Sequence, residues 1–399
     1  MSAGNLSPGG HWLDQEQSEH HKQKLGILLL TFVVIFFTSY EHHFDRWVYT
    51  QWVLNYDFGL VRRGLVGALL KAFGYVPSPE FYMVGAFLFA LAVCAALFWL
   101  LSRSALVYCR QSTAAFLLAL FFICHPLIIP HFAQAAGFLD NINYLIAILG
   151  IAVILKSPAK VGAFAVLLAG GLVIPIHEAS FVMFVPLLIG IWFYAHRPKA
   201  VSLDSALIAI VFALLLAEVI FIGTSNPSSK ISLQGYYEHL LASTQPIDID
   251  AVGILFNTLE GNSSETASVM LSALYLNYHL NMLFGLIPTF FIGAKILKAL
   301  ASHIRPISHE SFLLVCSISP LTLYLIASDY TRWWSIAVSN TAISLTLMMR
   351  DPVLAEAINT VVYRYKWFII FAIGFGLALG PFTSHLSYRD LNWLYSLGR

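Results

Sequence analysis

The sequence predicts an all-α polytopic membrane protein with about eleven transmembrane helices and a cytoplasmic N-terminus. Of its 399 residues, 58% are hydrophobic and only 11% are charged, whereas a soluble domain usually carries about a quarter charged residues. A chain of this length cannot bury that much apolar surface in one water-soluble core. Soluble enzymes, disordered proteins and secreted disulfide scaffolds are therefore excluded, and the net charge of +1 gives no indication of nucleic-acid binding.

Apolar segments recur along the chain, and most approach the roughly 20 residues that a membrane-spanning helix needs. We interpret them as helices, because lipid cannot satisfy open backbone groups and the alternation expected of barrel strands is absent. The predicted spans are 25–40, 81–102, 113–130, 140–155, 161–176, 179–195, 203–223, 278–294, 311–327, 335–349 and 367–384.

The distribution of Lys and Arg predicts the orientation, because cytoplasmic loops are enriched in these residues. With the N-terminus inside, 14 of the 22 cations fall on the cytoplasmic side. Residues 1–24 are polar and are expected to form a cytoplasmic tail before an uncleaved first span. Residues 25–399 then form a single transmembrane domain, with long outer loops at 41–80 and 224–277.

The first outer loop carries most of the residues that could do chemistry. Glu41 and Asp45 follow the first span, and Asp57 comes later in the loop. Arg62 and Arg63 are adjacent, and guanidinium groups match the oxygens of a phosphate or diphosphate. The same pattern also fits arginines that bind lipid head groups or that pair with Asp45 and Asp57.

Periodicity predicts helices in both outer loops. Residues 60–73 place apolar side chains at helical spacing beside cations, which indicates an amphipathic helix on the membrane surface. Gly59, just before it, is expected to permit a tight turn. The second loop, 224–277, is expected to contain short surface helices that act as a lid or recognise an acceptor.

His177 and Glu178 interrupt an apolar stretch. A carboxylate near membrane depth costs about 2.5–3.5 kcal/mol on insertion scales, so this position is a functional candidate. A turn between two spans, with both side chains in interfacial water, would explain it equally simply.

Polar residues also stand at the starts of two spans. Asp140 and Asn141 open the fourth span, where an Asp is often only a helix cap. Asp329 and Arg332 flank the tenth span, and their spacing also fits a simple pair on one helical turn. Since all these groups lie at the outer ends of predicted spans, we expect one outward-facing polar cavity. Its carboxylates permit a divalent metal but fix no ligand set, and no cofactor is implied with certainty.

This arrangement resembles the GT-C superfamily of membrane glycosyltransferases. Its members have many spans, an acidic outer loop directly after the first span, and often a second large outer loop after the seventh. The stretch GFLDNINYLIAIL is similar to the Gly-x-x-Asp opening of a span in some mannosyltransferase-type members. The paired acidic residues common in the family are replaced here by Glu41-His42-His43-Phe44-Asp45, which leaves the identity of the base open.

The resemblance implies transfer of a sugar from a polyprenyl-phosphate-linked donor to a glycan or lipid acceptor outside the bacterial inner (plasma) membrane. A carboxylate would deprotonate the acceptor hydroxyl, and fixed cations would stabilise the departing lipid phosphate. The catalytic candidates are Asp57, Asp45, Glu41, His177 and Glu178. The substrate- and phosphate-binding candidates are Arg62, Arg63, Arg332, Asp329, Asp140 and Asn141.

Other functions fit the same pattern. An O-antigen-type polymerase or ligase would use a polyprenyl-diphosphate glycan at the same arginines. A transporter or flippase would place its polar groups near the bilayer midplane and often contain repeats. A scaffolding role would leave the carboxylates and arginines unexplained.

Overall fold

The computed structural model describes residues 9–41, 44–107, 112–257, 273–325 and 329–382. Within these residues the regular structure is entirely helical, without a strand. The α-helices are α1 (Gly9–Ser39), α2 (Arg46–Val53), α3 (Leu65–Ala72), α4 (Pro79–Val107), α5 (Thr113–Ile123), α6 (Ile129–Gln134), α7 (Leu139–Ile154), α8 (Ala159–Ile176), α9 (Ser180–His196), α10 (Leu203–Thr224), α11 (Leu233–Leu241), α12 (Ile249–Gly253), α13 (Ala273–Ala301), α14 (His309–Ser317), α15 (Tyr330–Met348), α16 (Pro352–Arg364) and α17 (Lys366–Leu379). Three short 3₁₀ segments lie at Pro227–Ser229, Ile254–Phe256 and Ser319–Leu325.

Several helices have the length and composition of membrane spans. Five qualify within the described residues, and a sixth is obtained if α16 and α17, bent by 76° at their junction, count as one span. The five are Lys22–Ser39, Pro79–Arg103, Ala159–Ile176, Leu203–Thr224 and Met282–Ala301. Helices α5, α7 and α9 are apolar but shorter. The chain therefore has the character of an all-α membrane protein, and the count of eleven crossings stays a prediction.

Three predicted spans end or break at prolines, whose preceding residue is disfavoured in a helix. The predicted span 113–130 is wrong as one helix, because α5 stops at Ile123, before Pro126, and α6 follows after a turn. The predicted span 311–327 divides into α14 and a 3₁₀ segment containing Pro320. Helix α17 stops at Leu379, before Gly380 with φ of 70° and Pro381.

The segments before and after the first span also differ from expectation. Residues 9–24 of the predicted tail are helical and continue into the first span as α1. The predicted surface helix 60–73 is shorter, because α3 occupies only Leu65–Ala72. Arg63 has a positive φ of 59° and stands in the turn before it. Gly59 adopts a φ of 109°, as a tight turn requires. The described part of loop 224–277 contains the short helices α11 and α12, which confirms the prediction of short helices in this loop.

Helices α7, α8, α9 and α15 form the part of the core that supports the polar cluster described below. Tyr144 on α7 donates a hydrogen bond of 3.0 Å to Asn340 Oδ1 on α15. The Asn340 amide in turn donates to the Met183 carbonyl of α9, also at 3.0 Å. These side chains are fully buried, and such inter-helix hydrogen bonds fix the relative position of helices where apolar packing alone would permit sliding.

The described parts of the two predicted outer loops, 41–80 and 224–277, pack on each other near the start of α7. Trp52 of α2 donates through Nε1 to the Gly137 carbonyl at 2.7 Å. Tyr236 of α11 donates to the Asn55 carbonyl at 2.9 Å. The side chains of both aromatic residues are buried in a small apolar cluster that is separate from the main core. The first loop is thus a folded layer between the helix ends and the second loop.

Candidate functional site

Six ionisable side chains from four separate segments meet at one end of α7, α8, α9 and α15. We call them the buried ion cluster. Its members are Arg63, Asp140, His177, Glu178, Asp329 and Arg332. They come from the turn before α3, the first turn of α7, the turn between α8 and α9, and the start of α15. The structure therefore brings together most of the polar positions that the sequence placed at span ends.

Arg332 is the centre of one half of this cluster. Its Nε donates to Asp140 Oδ2 at 2.6 Å, its Nη2 contacts the same oxygen, and its Nη1 donates to Asp329 Oδ2 at 2.7 Å. The Arg332 and Asp140 side chains are each only 7% exposed. The predicted pair of Asp329 and Arg332 on one helical turn is confirmed. Asp140 is not a cap, since Phe138 occupies the N-cap of α7.

Arg63 and Glu178 form the other half. Arg63 Nε and Nη2 donate to Glu178 Oε2 and Oε1 at 3.2 and 3.0 Å, a two-point contact between guanidinium and carboxylate. Their side chains are 11% and 19% exposed, so this pair is closer to solvent than the Arg332 pair. Burial alone would raise the pKa of Glu178, but Arg63 and His177 beside it hold that pKa well below its usual value.

His177 connects the two halves. Its Nε2 lies 3.5 Å from Arg332 Nη2, and its Nδ1 lies 3.8 Å from Glu178 Oε2. Nδ1 also accepts the Ala179 backbone N–H at 3.2 Å. Burial, followed by the neighbouring Arg63 charge, lowers the pKa of His177 to about 4, so the ring is neutral at neutral pH. The turn between two helices is confirmed, but His177 is buried and not in interfacial water.

Arg62 points elsewhere and joins the two outer loops. Its Nη2 donates to the carbonyls of Ile254 and Asn257, both at 2.6 Å. The residue is buried, and burial is the main cause that lowers its pKa. Arg62 therefore binds the backbone of the second loop, whereas its sequence neighbour Arg63 belongs to the buried ion cluster.

Asp57 belongs to a different group, which we call the outer acid group and define as Asp57, Lys71 and His239. Lys71 Nζ lies 2.6 and 2.5 Å from the two carboxylate oxygens of Asp57, and His239 Nε2 lies 2.8 Å from Oδ2. Burial is the largest single cause acting on the pKa of Asp57 and raises it, but the hydrogen bonds and charges of Lys71 and His239 together outweigh burial and lower that pKa. Among the described residues, Asp57 makes no hydrogen bond or ion pair with Arg62 or Arg63, so the alternative in which these arginines pair with Asp57 is wrong.

The other predicted site residues have local roles in the structure. Asp45 caps α2 by accepting the N–H groups of Trp47 and Val48 at 2.8 and 3.2 Å. Glu41 is exposed and accepts a hydrogen bond of 3.0 Å from Gln134. The Asn141 side chain donates to the Ala135 and Phe132 carbonyls at 3.1 and 3.4 Å. Their part in any chemistry stays a prediction.

Several acceptor oxygens around the cluster have no hydrogen-bond partner among the described residues. They are Asp140 Oδ1, Asn141 Oδ1, Asn143 Oδ1 and Asp329 Oδ1. An acceptor left without a donor inside a protein costs about 1–3 kcal/mol. Three of these oxygens belong to the first turns of α7, and the fourth belongs to Asp329 at the start of α15.

Sequence reasoning missed Lys71 and His239 as site residues. Lys71 lies on the predicted surface helix, and His239 lies in a long polar loop where a single histidine carries no distinguishing pattern. In the part of the chain that the structure describes, no group of three or more His, Cys, Asp and Glu side chains is arranged to hold a metal ion. A divalent metal stays a prediction.

Comparison with known protein families, characterised proteins and solved structures gave no match. A fold alone would not define a function in any case, because unrelated activities share folds. What the protein does has to follow from its own residues.

Proposed function

We propose that the protein is a membrane glycosyltransferase that moves a sugar from a polyprenyl-phosphate-linked donor to a glycan or lipid acceptor at the outer membrane surface. The buried ion cluster is the observation that carries this proposal. Removing an ion from water costs several kcal/mol unless it is well paired. Ionisable groups at membrane depth usually mark a functional site.

The arginines of the cluster suit a phosphate leaving group. Arg63 makes a two-point contact with Glu178, and a phosphate offers the same two-oxygen face as a carboxylate. Arg332 lies deeper, next to His177. As the bond between the sugar and the phosphate breaks, negative charge grows on the phosphate oxygens, and fixed guanidinium groups stabilise that charge.

In the reaction, the acceptor hydroxyl oxygen bonds to the anomeric carbon of the donor. The hydroxyl proton passes to a carboxylate, and the lipid phosphate departs with the electrons of the broken carbon–oxygen bond. Asp57 is the candidate base on the solvent side, and Glu178 is the candidate within the cluster. The unpartnered oxygens of Asp140 and Asp329 would accept hydrogen bonds from sugar hydroxyls.

The charges at the two ends of the helices support an outward-facing site. Cations lie near the ends of α7, α8, α9 and α15 that are remote from the cluster. They are Lys156, Lys160, Arg197 and Arg350. Because cytoplasmic helix ends are enriched in cations, we propose that these ends lie inside and that the cluster lies on the periplasmic side. A lipid donor would then enter sideways from the outer leaflet.

The test is transfer from labelled polyprenyl phosphate sugars by the purified full chain in proteoliposomes. We expect Arg63→Gln to lower the transfer rate roughly 100-fold, the scale found when one group that stabilises the transition state is removed. Arg197→Gln, which removes the same charge from the opposite helix ends, should leave the rate unchanged. Failure of the wild type to consume any lipid-linked sugar would refute the proposal.

The same assay separates the alternatives. Extension of a polyprenyl-diphosphate glycan, with no use of a monophosphate sugar, would identify a polymerase or ligase. Labelling of cysteines introduced at the cluster from both membrane sides would identify a transporter, because alternating access exposes one site to each side in turn.

A further inference from the structure

A basic pocket lies between α13 and α16, away from the buried ion cluster. It has a volume of about 910 Å³, within the range of ligand pockets. Helix α16, which lines the pocket, directly follows the C-terminus of α15. Arg332 of the buried ion cluster lies at the other end of α15. Roughly 25 Å of helix therefore separates this pocket from the cluster. Its ionisable lining residues are Lys295, Lys298, His303, Glu356 and Arg364.

The charges of this pocket are unbalanced. Three basic side chains, Lys295, Lys298 and Arg364, line the pocket together with one carboxylate, Glu356. None of the three cations makes an ion pair within the described residues. Lys295 lies over the Tyr365 ring at 5.6 Å, and Arg364 lies over the same ring at 5.9 Å. The two cations thus converge on one aromatic side chain with their charges uncompensated.

The pocket lies at one end of a candidate membrane span, where lipid head groups would be expected. Met282–Ala301 qualifies as a membrane span, and Lys295 and Lys298 lie in its last two turns. Helix α16 buries one face and exposes polar residues on the other, and the chain bends by 76° between α16 and α17. Exposed Tyr363 and Trp367 flank this bend, as interfacial aromatic residues do.

Part of the pocket lining is apolar. Val353, Ala357 and Val361 line the pocket beside the charged groups. An apolar lining does not favour a free inorganic anion, whereas it suits a phospholipid, which has both a phosphate and an apolar glycerol–acyl region. Basic pockets between transmembrane helices on the cytoplasmic side are suited to anionic head groups.

We propose that this pocket binds an anionic phospholipid, with its phosphate between Lys295, Lys298 and Arg364 and its acyl chains against the apolar part of the lining. The site is independent of the proposed glycosyl transfer. It ties the protein to the leaflet opposite the buried ion cluster.

The experiment measures binding of phosphatidylglycerol to the full chain in neutral detergent by native mass spectrometry. Phosphatidylcholine and inorganic phosphate serve as comparison probes. We expect phosphatidylglycerol to bind the wild type, and the double variant Lys295→Gln/Lys298→Gln to bind it about tenfold to thirtyfold more weakly. The matched variant Lys156→Gln/Lys160→Gln removes two exposed lysines from another helix end and should bind like the wild type.

Three results would overturn the proposal: equal binding of phosphatidylcholine, unchanged binding by Lys295→Gln/Lys298→Gln, or full competition by inorganic phosphate at equal concentration. The last result would identify a site for free phosphate. If the double variant does not fold, the single variant Arg364→Gln provides the same comparison, because that exposed side chain contributes no ion pair to the described structure.

Discussion

The buried ion cluster and the outer acid group use the same kinds of side chain but differ in their surroundings. Arg332 and Asp140 are each 7% exposed, whereas Lys71 is 55% and His239 is 43% exposed. Breaking a buried ion pair by removing one partner costs about 3–5 kcal/mol, because the remaining charge is left uncompensated. An exposed pair contributes only about 0.2–1 kcal/mol. The same kinds of ion pair are therefore important for stability in the buried ion cluster and contribute little to stability in the outer acid group.

This difference determines how each group can be tested. Substitutions in the Arg332 half report first on folding, so a loss of activity there has two explanations. Substitutions in the outer acid group are expected to leave the fold nearly unchanged, so a loss of activity there would report on chemistry. The Arg63–Glu178 pair is partly exposed, so the effect of its substitution on stability is expected to lie between these two limits.

The largest effect is expected from Arg332→Met. This change leaves Asp140 and Asp329 without their cation, and we expect a loss of about 3–5 kcal/mol in stability. Thermal unfolding of the detergent-purified protein measures it. Adding Asp140→Leu should restore part of the loss, because a buried ion pair can often be replaced by apolar residues at little net cost.

A matched change supplies the control for that prediction. Arg197→Met removes the cation of an ion pair with Glu310, in which Arg197 is 54% exposed, and it should alter stability by less than about 1 kcal/mol. Equal melting temperatures for Arg332→Met and the wild type would mean that the cluster is hydrated and not buried as described.

The sequence singled out the six members of the buried ion cluster, but it grouped them with Glu41, Asp45, Asp57, Arg62 and Asn141, which make their contacts elsewhere. His177, Glu178 and Asp140 stand out because an ionisable residue beside an apolar run carries a large desolvation cost when it is charged. The sequence also correctly predicted that the fold is helical and that the chain turns tightly at Gly59. These features depend on composition and local spacing, which do not require knowledge of the tertiary fold.

The pairing of the charges was not predictable. Arg62 and Arg63 are neighbours, yet one clamps backbone carbonyls near residue 255 and the other binds Glu178. The positive φ of Arg63 changes the direction of the chain between them, and nothing in the composition of the loop encodes that angle. Long-range pairing depends on how the two loops fold over the helix ends.

Helix α16 was also missed. Residues 350–366 look like another basic cytoplasmic loop, because their apolar residues form only one narrow face. A short amphipathic helix has low overall hydrophobicity, so a search for continuous apolar runs cannot find it.

An intermediate effect is expected from Glu178→Gln. Because the folded pKa of Glu178 is below its usual 4.5, its ion pair with Arg63 stabilises the protein fully above about pH 4.5. That contribution is lost only as the pH falls through the lower folded value. We expect the variant to be about 1.5–3 kcal/mol less stable at neutral pH, the range for hydrogen bonds to charged groups.

Melting temperatures of wild type and Glu178→Gln as a function of pH test this sign. The two curves should stay apart from neutral pH to about pH 4.5 and converge only in more acidic solution. Convergence near pH 6 would contradict a lowered pKa and would remove the reason to treat Arg63 as a cation fixed by Glu178.

The smallest effect on stability, and the sharpest test of chemistry, is expected from Asp57→Asn. Its partners Lys71 and His239 are exposed, so stability should change by less than about 1 kcal/mol. If Asp57 takes the acceptor proton, the transfer rate in proteoliposomes should fall on the order of 100-fold or more. Asp250→Asn, the same change at an exposed position of the second loop, should alter neither quantity.

The two readouts together decide which group carries the chemistry. A large loss of transfer with unchanged melting temperature would assign the base to the outer acid group. Unchanged transfer in Asp57→Asn, with loss of transfer in Glu178→Gln, would move the base into the buried ion cluster, where Arg63 would have to release Glu178 before a proton could be taken. That release would require the guanidinium to bind the donor phosphate instead, so the base would become free only when the donor is present.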